Sequence, residues 1–138
     1  MKSASTKTPG TRNIRIKSAP KIRQVFWCNY PELEHTEIPE FYKRRPVVVI
    51  SRKSTLYGVA TIVPITGKPQ KDSQNSLRIR SPINGRDAWI VCNHVHTVST
   101  RRLDVPAGGI PRIPDDVFQE ILKKVYRNLP LPRLGEID

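Results

Sequence analysis

The sequence predicts a mainly β fold with one helix near the C-terminus, and three observations support this prediction. Residues 47–50 (VVVI) and 59–65 (VATIVPI) have the length and β-branched content of buried strands. The 13 prolines disfavour long helices, because proline lacks the amide hydrogen that a helix interior needs. Residues 115–129 alone repeat apolar side chains at helical spacing. A chain of 138 residues is expected to form one domain with a modest core.

The remaining strands are expected from the same patterns. Residues 22–30 predict the first strand, and residues 87–98 predict the longest one. In residues 77–80 (LRIR) apolar and basic side chains alternate, which is typical of a short strand with one buried face. Residues 31–43 are expected to form a loop between the first two strands.

The predicted helix begins near Asp115, where Pro114 and two acidic residues suit a helix N-terminus, and it ends before Pro130. Its apolar stripe is expected to pack against the sheet. The stripe consists of Val117, Phe118, Ile121, Leu122, Val125 and Leu129.

The chain is strongly basic, with a net charge of +12, and such a surface attracts RNA, DNA, anionic lipid or an acidic protein. Residues 1–20 contain no acidic and few large apolar side chains, so they predict a flexible basic arm whose removal leaves the fold intact. They lack the apolar stretch of a secretory signal, and a transit peptide is the weaker alternative. Residues 131–138 are expected to form a C-terminal tail.

The two cysteines, Cys28 and Cys92, lie within apolar strand-like segments and in no metal-binding motif. Buried, reduced thiols are the favoured interpretation and fit a cytoplasmic protein, with a disulfide between neighbouring strands as the alternative. No apolar stretch is long enough to span a membrane.

The candidate catalytic residues lie at the ends of the two strongest strands. Arg45 precedes residues 47–50 and Thr66 ends the second strand, so the two side chains could meet in one groove if the strands are neighbours. With Glu40, they would supply a cation, a hydroxyl and a carboxylate, a set that suits phosphate chemistry. Alternatively, Arg45 pairs with a loop glutamate at the surface, and Thr66 shapes a turn beside Gly67.

Four short motifs occur in an order that resembles the PemK/MazF family of toxin endoribonucleases. They are VFWCNY (residues 25–30), RPVVVIS (45–51), VPIT (63–66), and WIVCNHVHTV (89–98) followed by RRL (101–103). The similarity covers about residues 22–129.

This resemblance implies an SH3-like antiparallel β-barrel with a C-terminal α-helix, formed by residues 21–130. It also implies the toxin of a type II toxin–antitoxin system, which cleaves single-stranded RNA through attack by the 2′-hydroxyl without a metal ion or other cofactor. Arg45 and Thr66 would be catalytic, with Glu40 as the base and Glu37 as its rival. The implied partners are a second copy of the chain and an acidic antitoxin.

Further residues are expected to contact RNA. They are Arg44, Lys68, Lys71, Arg78, Arg80, Arg86, His94 and His96. For the basic residues within the segment 67–86, a merely solvated loop is the alternative. The positions of Asn93, His94 and His96 usually hold Asp or Glu, Gln and Arg in the family, so the base preference is expected to differ. For the two histidines, plain surface positions and a metal or catalytic role remain alternatives.

Two other functions fit the same sequence. A barrel of this kind could bind nucleic acid or an acidic protein without cleaving it. A toxin of related fold could instead poison a topoisomerase through protein contacts. Incubation of the purified protein with RNA separates the enzyme from both.

Overall fold

The computed structural model describes residues 12–52, 54–130 and 132–133. Within these residues the chain forms seven antiparallel strands and one α-helix. The strands are β1 (Val25–Asn29), β2 (Arg44–Val49), β3 (Val59–Thr66), β4 (Ser76–Arg80), β5 (Asp87–Val91), β6 (His96–Ser99) and β7 (Leu103–Asp104). The helix is α1 (Asp115–Arg127), and two 3₁₀ turns cover Leu33–His35 and Thr100–Arg102.

The strands form one sheet in the order β4-β5-β3-β2-β1-β7, and β6 pairs with the first half of β3. All of these pairings are antiparallel. The predicted class, mainly antiparallel β with a C-terminal helix, is therefore confirmed. The sheet differs from the expected barrel in one respect: β4 and β7 stand at its two ends, so hydrogen bonds between the described strands do not close it.

Both faces of the sheet carry buried side chains, because successive side chains along each strand point to opposite faces. Val48 of β2 belongs to a first core on the helix side, whereas Val47 and Val49 belong to a second core on the opposite side. The first core consists of Val25, Val48, Val63, Ile65, Ala88, Ile90, Cys92, Ile113, Phe118, Ile121 and Val125. The second consists of Ile16, Phe26, Cys28, Tyr30, Val47, Val49, Ala60, Ile62 and Leu103.

The helix packs on the first core through most of its predicted stripe. Phe118, Ile121 and Val125 are buried, and Val117 and Leu122 pack beside them. Leu129, which lies beyond the end of α1 at Arg127, is 52% exposed. None of the helices in the described part of the chain is long and apolar enough to cross a membrane.

The predicted long strand, residues 87–98, is instead two strands separated by a turn. The amide of His94 donates to the Val91 carbonyl at 3.3 Å, which closes the turn between β5 and β6. The turn contains neither glycine nor proline and has valines on both sides, so the sequence pattern hides it. β3 is therefore the longest strand.

Residues 12–20 pack on the sheet, although the sequence predicts that they belong to a flexible arm. Ile16 is 5% exposed in the second core. Arg101 Nη1 donates to the Arg12 carbonyl at 2.9 Å, and Arg15 Nε lies 3.7 Å from Asp104 Oδ1. Residues 1–11 of the predicted arm lie outside the described residues, as do residues 131 and 134–138 of the predicted tail.

Because Ile16 is buried, we expect Ile16→Asp to lower the free energy of unfolding by about 2 kcal/mol or more, since the change places a carboxylate in an apolar core. Lys17→Asp, at the exposed neighbouring position, is the control and should cost much less. Urea unfolding of both variants measures the difference. Deletion of residues 1–20 should also destabilise the protein. If Ile16→Asp and the deletion variant were both as stable as the wild type, this packing would be contradicted.

The two cysteines are free and buried, as predicted, and they belong to different cores. Burial, which disfavours the thiolate, raises the pKa of Cys28 to about 12 and that of Cys92 to about 11. Both thiols are therefore protonated and poorly reactive at neutral pH.

Candidate active site

Arg45 and Thr66 face each other because of the register between β2 and β3. Val47 pairs with Pro64, and continuing this antiparallel register by two residues places Arg45 opposite Thr66. Arg45 Nη1 lies 3.5 Å from Thr66 Oγ1. The structure thus brings together the two side chains that the sequence predicted to share a groove.

The Arg45 guanidinium is held by the loop that precedes β2. Its Nε donates to the Tyr42 carbonyl at 3.0 Å. Its Cζ lies 4.9 Å from the ring centroid of Phe41 and 5.5 Å from that of Tyr42. These contacts fix the cation without neutralising it. Neither aromatic residue is among the site residues predicted from the sequence, although both directly precede the basic run at residues 43–45.

Thr66 lies at the end of β3 and is 5% exposed. Its Oγ1 accepts a hydrogen bond from the Lys68 amide at 3.2 Å. Thr66 therefore shapes the turn after β3, as the alternative interpretation held, and also presents its hydroxyl to Arg45.

A cleft of about 400 Å³ lies in front of this pair. Six of the catalytic and RNA-binding residues predicted from the sequence contribute to its walls. They are Glu40, Arg45, Thr66, Lys68, Lys71 and His94. The cleft is lined by three cationic side chains and one carboxylate, so its charge suits an anion. The arginine and the hydroxyl offer hydrogen-bond donors to phosphate oxygens.

Glu40 enters the cleft from a tight turn. Its Oε1 accepts from the Glu37 amide at 2.9 Å, and its own amide donates to the Glu37 carbonyl at 2.8 Å. Glu37 closes this turn but does not line the cleft. Within the described residues Arg45 forms no ion pair with either glutamate, so its charge remains available to a ligand.

His94 packs edge-on against Phe41, with 4.7 Å between the ring centroids. Burial and the neighbouring His96 lower the pKa of His94 below its ordinary value of 6.5. Its imidazole is therefore neutral at pH 7. This residue lies in the connection between β5 and β6 rather than on a continuous strand.

The lowered pKa of His94 predicts a dependence of stability on pH. The unfolded chain, in which this histidine titrates near pH 6.5, binds the proton more strongly than the folded protein does. The contribution of neutral His94 to the free energy of unfolding is thus present above pH 6.5. It is lost as the pH falls through the pKa of His94 in the folded protein. We expect the melting temperature to fall with pH in this range, and less steeply in His94→Gln than in the wild type. His35→Gln, at an exposed ring, is the control; an unchanged slope in His94→Gln would contradict the burial argument.

Arg44 does not line the cleft, because neighbouring residues of a strand point to opposite faces. Its Cζ lies 4.5 Å from the Trp27 ring centroid, and its Nη2 lies 3.5 Å from Asp104 Oδ2. A contact between Arg44 and RNA stays a prediction and would have to occur on that other face.

Three further predicted residues lie outside the cleft: Arg78 and Arg80 on β4, and Arg86 directly before β5. Arg78 Nη2 is 2.8 Å from Asp87 Oδ2, and Arg80 Nε is 4.0 Å from Asp87 Oδ1. Arg86 lines a separate cavity that also contains Trp27. His96 lies at the start of β6 and lines yet another cavity, beside Tyr30.

Among the described residues, no group of three or more His, Cys, Asp and Glu side chains is arranged to hold a metal ion.

The fold and the cleft define a class of protein, a small antiparallel β protein with a basic cleft at two strand ends. A family model narrows the class: the model for PemK-like, MazF-like toxins of type II toxin–antitoxin systems matches residues 21–129. The chain belongs to this family, and the resemblance noted in its motifs is confirmed.

Several solved structures are similar to this chain in fold. MazF from Deinococcus radiodurans is 19% identical, with a TM-score of 0.62 over 82% of this chain and 98% of that chain. A MazE–MazF complex from the same organism is 17% identical, with a TM-score of 0.59 over 84% and 100%. A mycobacterial endoribonuclease in complex with its cognate antitoxin is 16% identical, with a TM-score of 0.57 over 83% and 100%. Curated protein sequences give no match.

Proposed function

We propose that the protein is an endoribonuclease that cleaves single-stranded RNA without a metal ion, as the toxin of a type II toxin–antitoxin pair. One observation carries this proposal: Arg45 and Thr66, 3.5 Å apart, face a cleft with two lysines. Membership of the family supports it. The cleft offers what a phosphodiester needs at the moment of attack, namely positive charge and directed hydrogen-bond donors.

The reaction uses the 2′-hydroxyl of the RNA as its nucleophile. A new bond forms between the 2′-oxygen and phosphorus, and the bond from phosphorus to the 5′-oxygen breaks. Arg45 stabilises the negative charge on the non-bridging oxygens, and Thr66 donates a hydrogen bond to one of them. Arg45 is not the base, because its guanidinium stays protonated.

Two proton transfers complete the reaction. Glu40, which lines the cleft and keeps one carboxylate oxygen outside the turn hydrogen bond, accepts the proton of the 2′-hydroxyl. Water in the open cleft supplies the proton of the leaving 5′-oxygen. His94 is neutral at pH 7 because of its lowered pKa, and it serves here as a wall of the cleft.

The proposed partners follow from charge and family. An acidic antitoxin would complement the net charge of +12 and cover the basic cleft. Neighbours of the same fold include a MazE–MazF complex and a mycobacterial endoribonuclease in complex with its cognate antitoxin. We further propose that the protein acts in the cytoplasm as a homodimer.

Cleavage of RNA in the presence of EDTA tests the proposed reaction. The products should carry a 2′,3′-cyclic phosphate and a 5′-hydroxyl, and an oligonucleotide with deoxyribose at the scissile position should stay intact. Cleavage that requires added Mg²⁺ would contradict this mechanism. Tight RNA binding without any cleavage would instead support the non-catalytic binding module.

A further inference from the structure

Five arginines are linked by contacts at the edge of the sheet that β7 forms. We name them the arginine cluster, and its members are Arg12, Arg15, Arg44, Arg101 and Arg102. Arg15 Nε lies 3.7 Å from Asp104 Oδ1, and Arg44 Nη2 lies 3.5 Å from Asp104 Oδ2. Within the described residues, Asp104 is the only acidic partner of the cluster, so five guanidinium groups share one carboxylate. The cluster therefore keeps most of its positive charge.

The other members of the cluster are held by neutral backbone oxygens. Arg101 Nη1 donates to the Arg12 carbonyl at 2.9 Å, and Arg102 Nη1 donates to the Asn29 carbonyl at 2.8 Å. Such hydrogen bonds orient a guanidinium group without neutralising it. The Nε of Arg12 is buried and has no hydrogen-bond partner among the described residues, so one donor of the cluster lacks an acceptor.

The cluster reaches the proposed active-site cleft through one intermediate cavity. Arg102 lines this cavity, which has a volume of about 250 Å³ and also contains Glu40 and Phe41. Glu40 and Phe41 line the active-site cleft as well, so the cavity and the cleft adjoin. A polymer bound in the cleft therefore has a continuous path over the protein surface to the arginine cluster.

Two aromatic side chains flank the cluster. Arg44 Cζ lies 4.5 Å from the ring centroid of Trp27, and Arg101 Cζ lies 6.0 Å from that of Tyr57, which is 69% exposed. Arginines next to exposed aromatic rings are typical of surfaces that bind single-stranded nucleic acid, because the rings stack on bases and the planar guanidinium groups bind phosphates. This combination favours RNA over an acidic protein segment as the ligand, since carboxylate side chains have no ring to stack.

We propose that the arginine cluster binds the phosphates of the RNA backbone beyond the nucleotides held in the cleft. It lengthens the stretch of RNA that the protein holds, and it does so without reading the base sequence. Arg12 and Arg15 precede residue 21, where the family match begins, so the cluster is completed by residues outside that match. The packing of residues 12–20 on the sheet thereby acquires a function. The proposal rests on the proposed ribonuclease function, from which it takes RNA as the ligand.

Binding of an RNA that cannot be cleaved tests the cluster. Fully 2′-O-methylated oligonucleotides of about four and about twelve nucleotides lack the attacking hydroxyl, and fluorescence anisotropy gives their Kd. The longer one should bind more tightly to the wild-type protein. The double variant Arg15→Gln/Arg101→Gln should lose about tenfold in affinity for the longer one. The slope of log K against log salt should become shallower by about 1.4, the value for two lost phosphate contacts.

Two further double variants keep this test specific. Arg112→Gln/Arg127→Gln removes the same charge from two arginines that also donate to backbone carbonyls, and it should leave the affinity for the longer RNA nearly unchanged. Arg15→Lys/Arg101→Lys keeps both charges and should keep the salt slope of the wild type. If the lysine variant loses as much slope as the glutamine variant, the loss comes from altered packing and the proposal is overturned.

Two other results would also overturn the proposal. One is equal binding of the longer RNA by Arg15→Gln/Arg101→Gln and by Arg112→Gln/Arg127→Gln. The other is a loss of affinity for poly-glutamate with unchanged affinity for RNA, which would make the cluster a docking site for an acidic protein.

Cleavage kinetics separate the cluster from the proposed reaction. On a long RNA, Arg15→Gln/Arg101→Gln should raise KM and leave kcat unchanged, whereas Arg45→Lys should lower kcat. If the wild-type protein cleaves no RNA, the reaction fails while the anisotropy titration still decides the cluster. If cleavage occurs and Arg15→Gln/Arg101→Gln has the same KM as Arg112→Gln/Arg127→Gln on a long RNA, the cluster fails and the reaction stands.

Discussion

Replacement of Arg45 by lysine should reduce the rate of RNA cleavage about a hundredfold or more, the scale of one lost oxyanion donor. Lysine keeps the positive charge but loses the planar fork with which arginine binds two phosphate oxygens. It also loses the hydrogen bond to the Tyr42 carbonyl and the stacking on Phe41 that orient the guanidinium. The cleavage rate of a fluorescent single-stranded RNA under single-turnover conditions measures the effect.

Three comparisons make this prediction specific. Arg112→Lys, a matched change outside the cleft, should leave the rate unchanged. Thr66→Ala should slow cleavage less than Arg45→Lys, since it removes a neutral donor. Both active-site variants should keep the circular dichroism spectrum of the wild type. Undiminished cleavage by a folded Arg45→Ala protein would show that the site lies elsewhere.

Introduction of a charge under the helix should have the largest effect on stability. Ile121 is fully buried in the first core, between α1 and the sheet. Ile121→Asp removes its apolar contacts and buries a carboxylate without a partner, so we expect the free energy of unfolding to fall by about 3–4 kcal/mol. Urea denaturation followed by tryptophan fluorescence measures this change.

Tyr126→Asp is the matched control for this helix. Tyr126 is an exposed aromatic residue on α1, and the substitution adds the same charge. A negative charge near the helix C-terminus is mildly unfavourable, so the cost should stay at about 1 kcal/mol or less. Equal losses in the two variants would show that the other face of the helix packs on the sheet.

The sequence was sufficient to predict the Arg45–Thr66 pair. Its two strands are the most apolar and β-branched segments of the chain, so their ends are well defined, and an antiparallel register between neighbours brings those ends together. Glu40 was also predicted, and a turn that Glu37 closes carries it into the same cleft.

Other features depend on tertiary contacts that periodicity cannot detect. The turn after Val91 contains neither glycine nor proline, so the prediction of a single strand is wrong there. Ile16 was assigned to a flexible arm because its neighbours are polar, yet one isoleucine suffices to fill a gap in the second core. Arg44 was grouped with Arg45 by sequence, and the alternation of strand faces separates them.

The division of the molecule into two cores has a consequence for amide hydrogen exchange. β2 and β3 contribute side chains to both cores, so their amides should exchange only when the whole sheet unfolds. Glu40 belongs to an exposed loop, whose amides should exchange through local opening. The proposed phosphate-binding pair and the proposed base should thus belong to different cooperative units. Opening of the loop would leave the backbones of Arg45 and Thr66 aligned while the carboxylate withdraws.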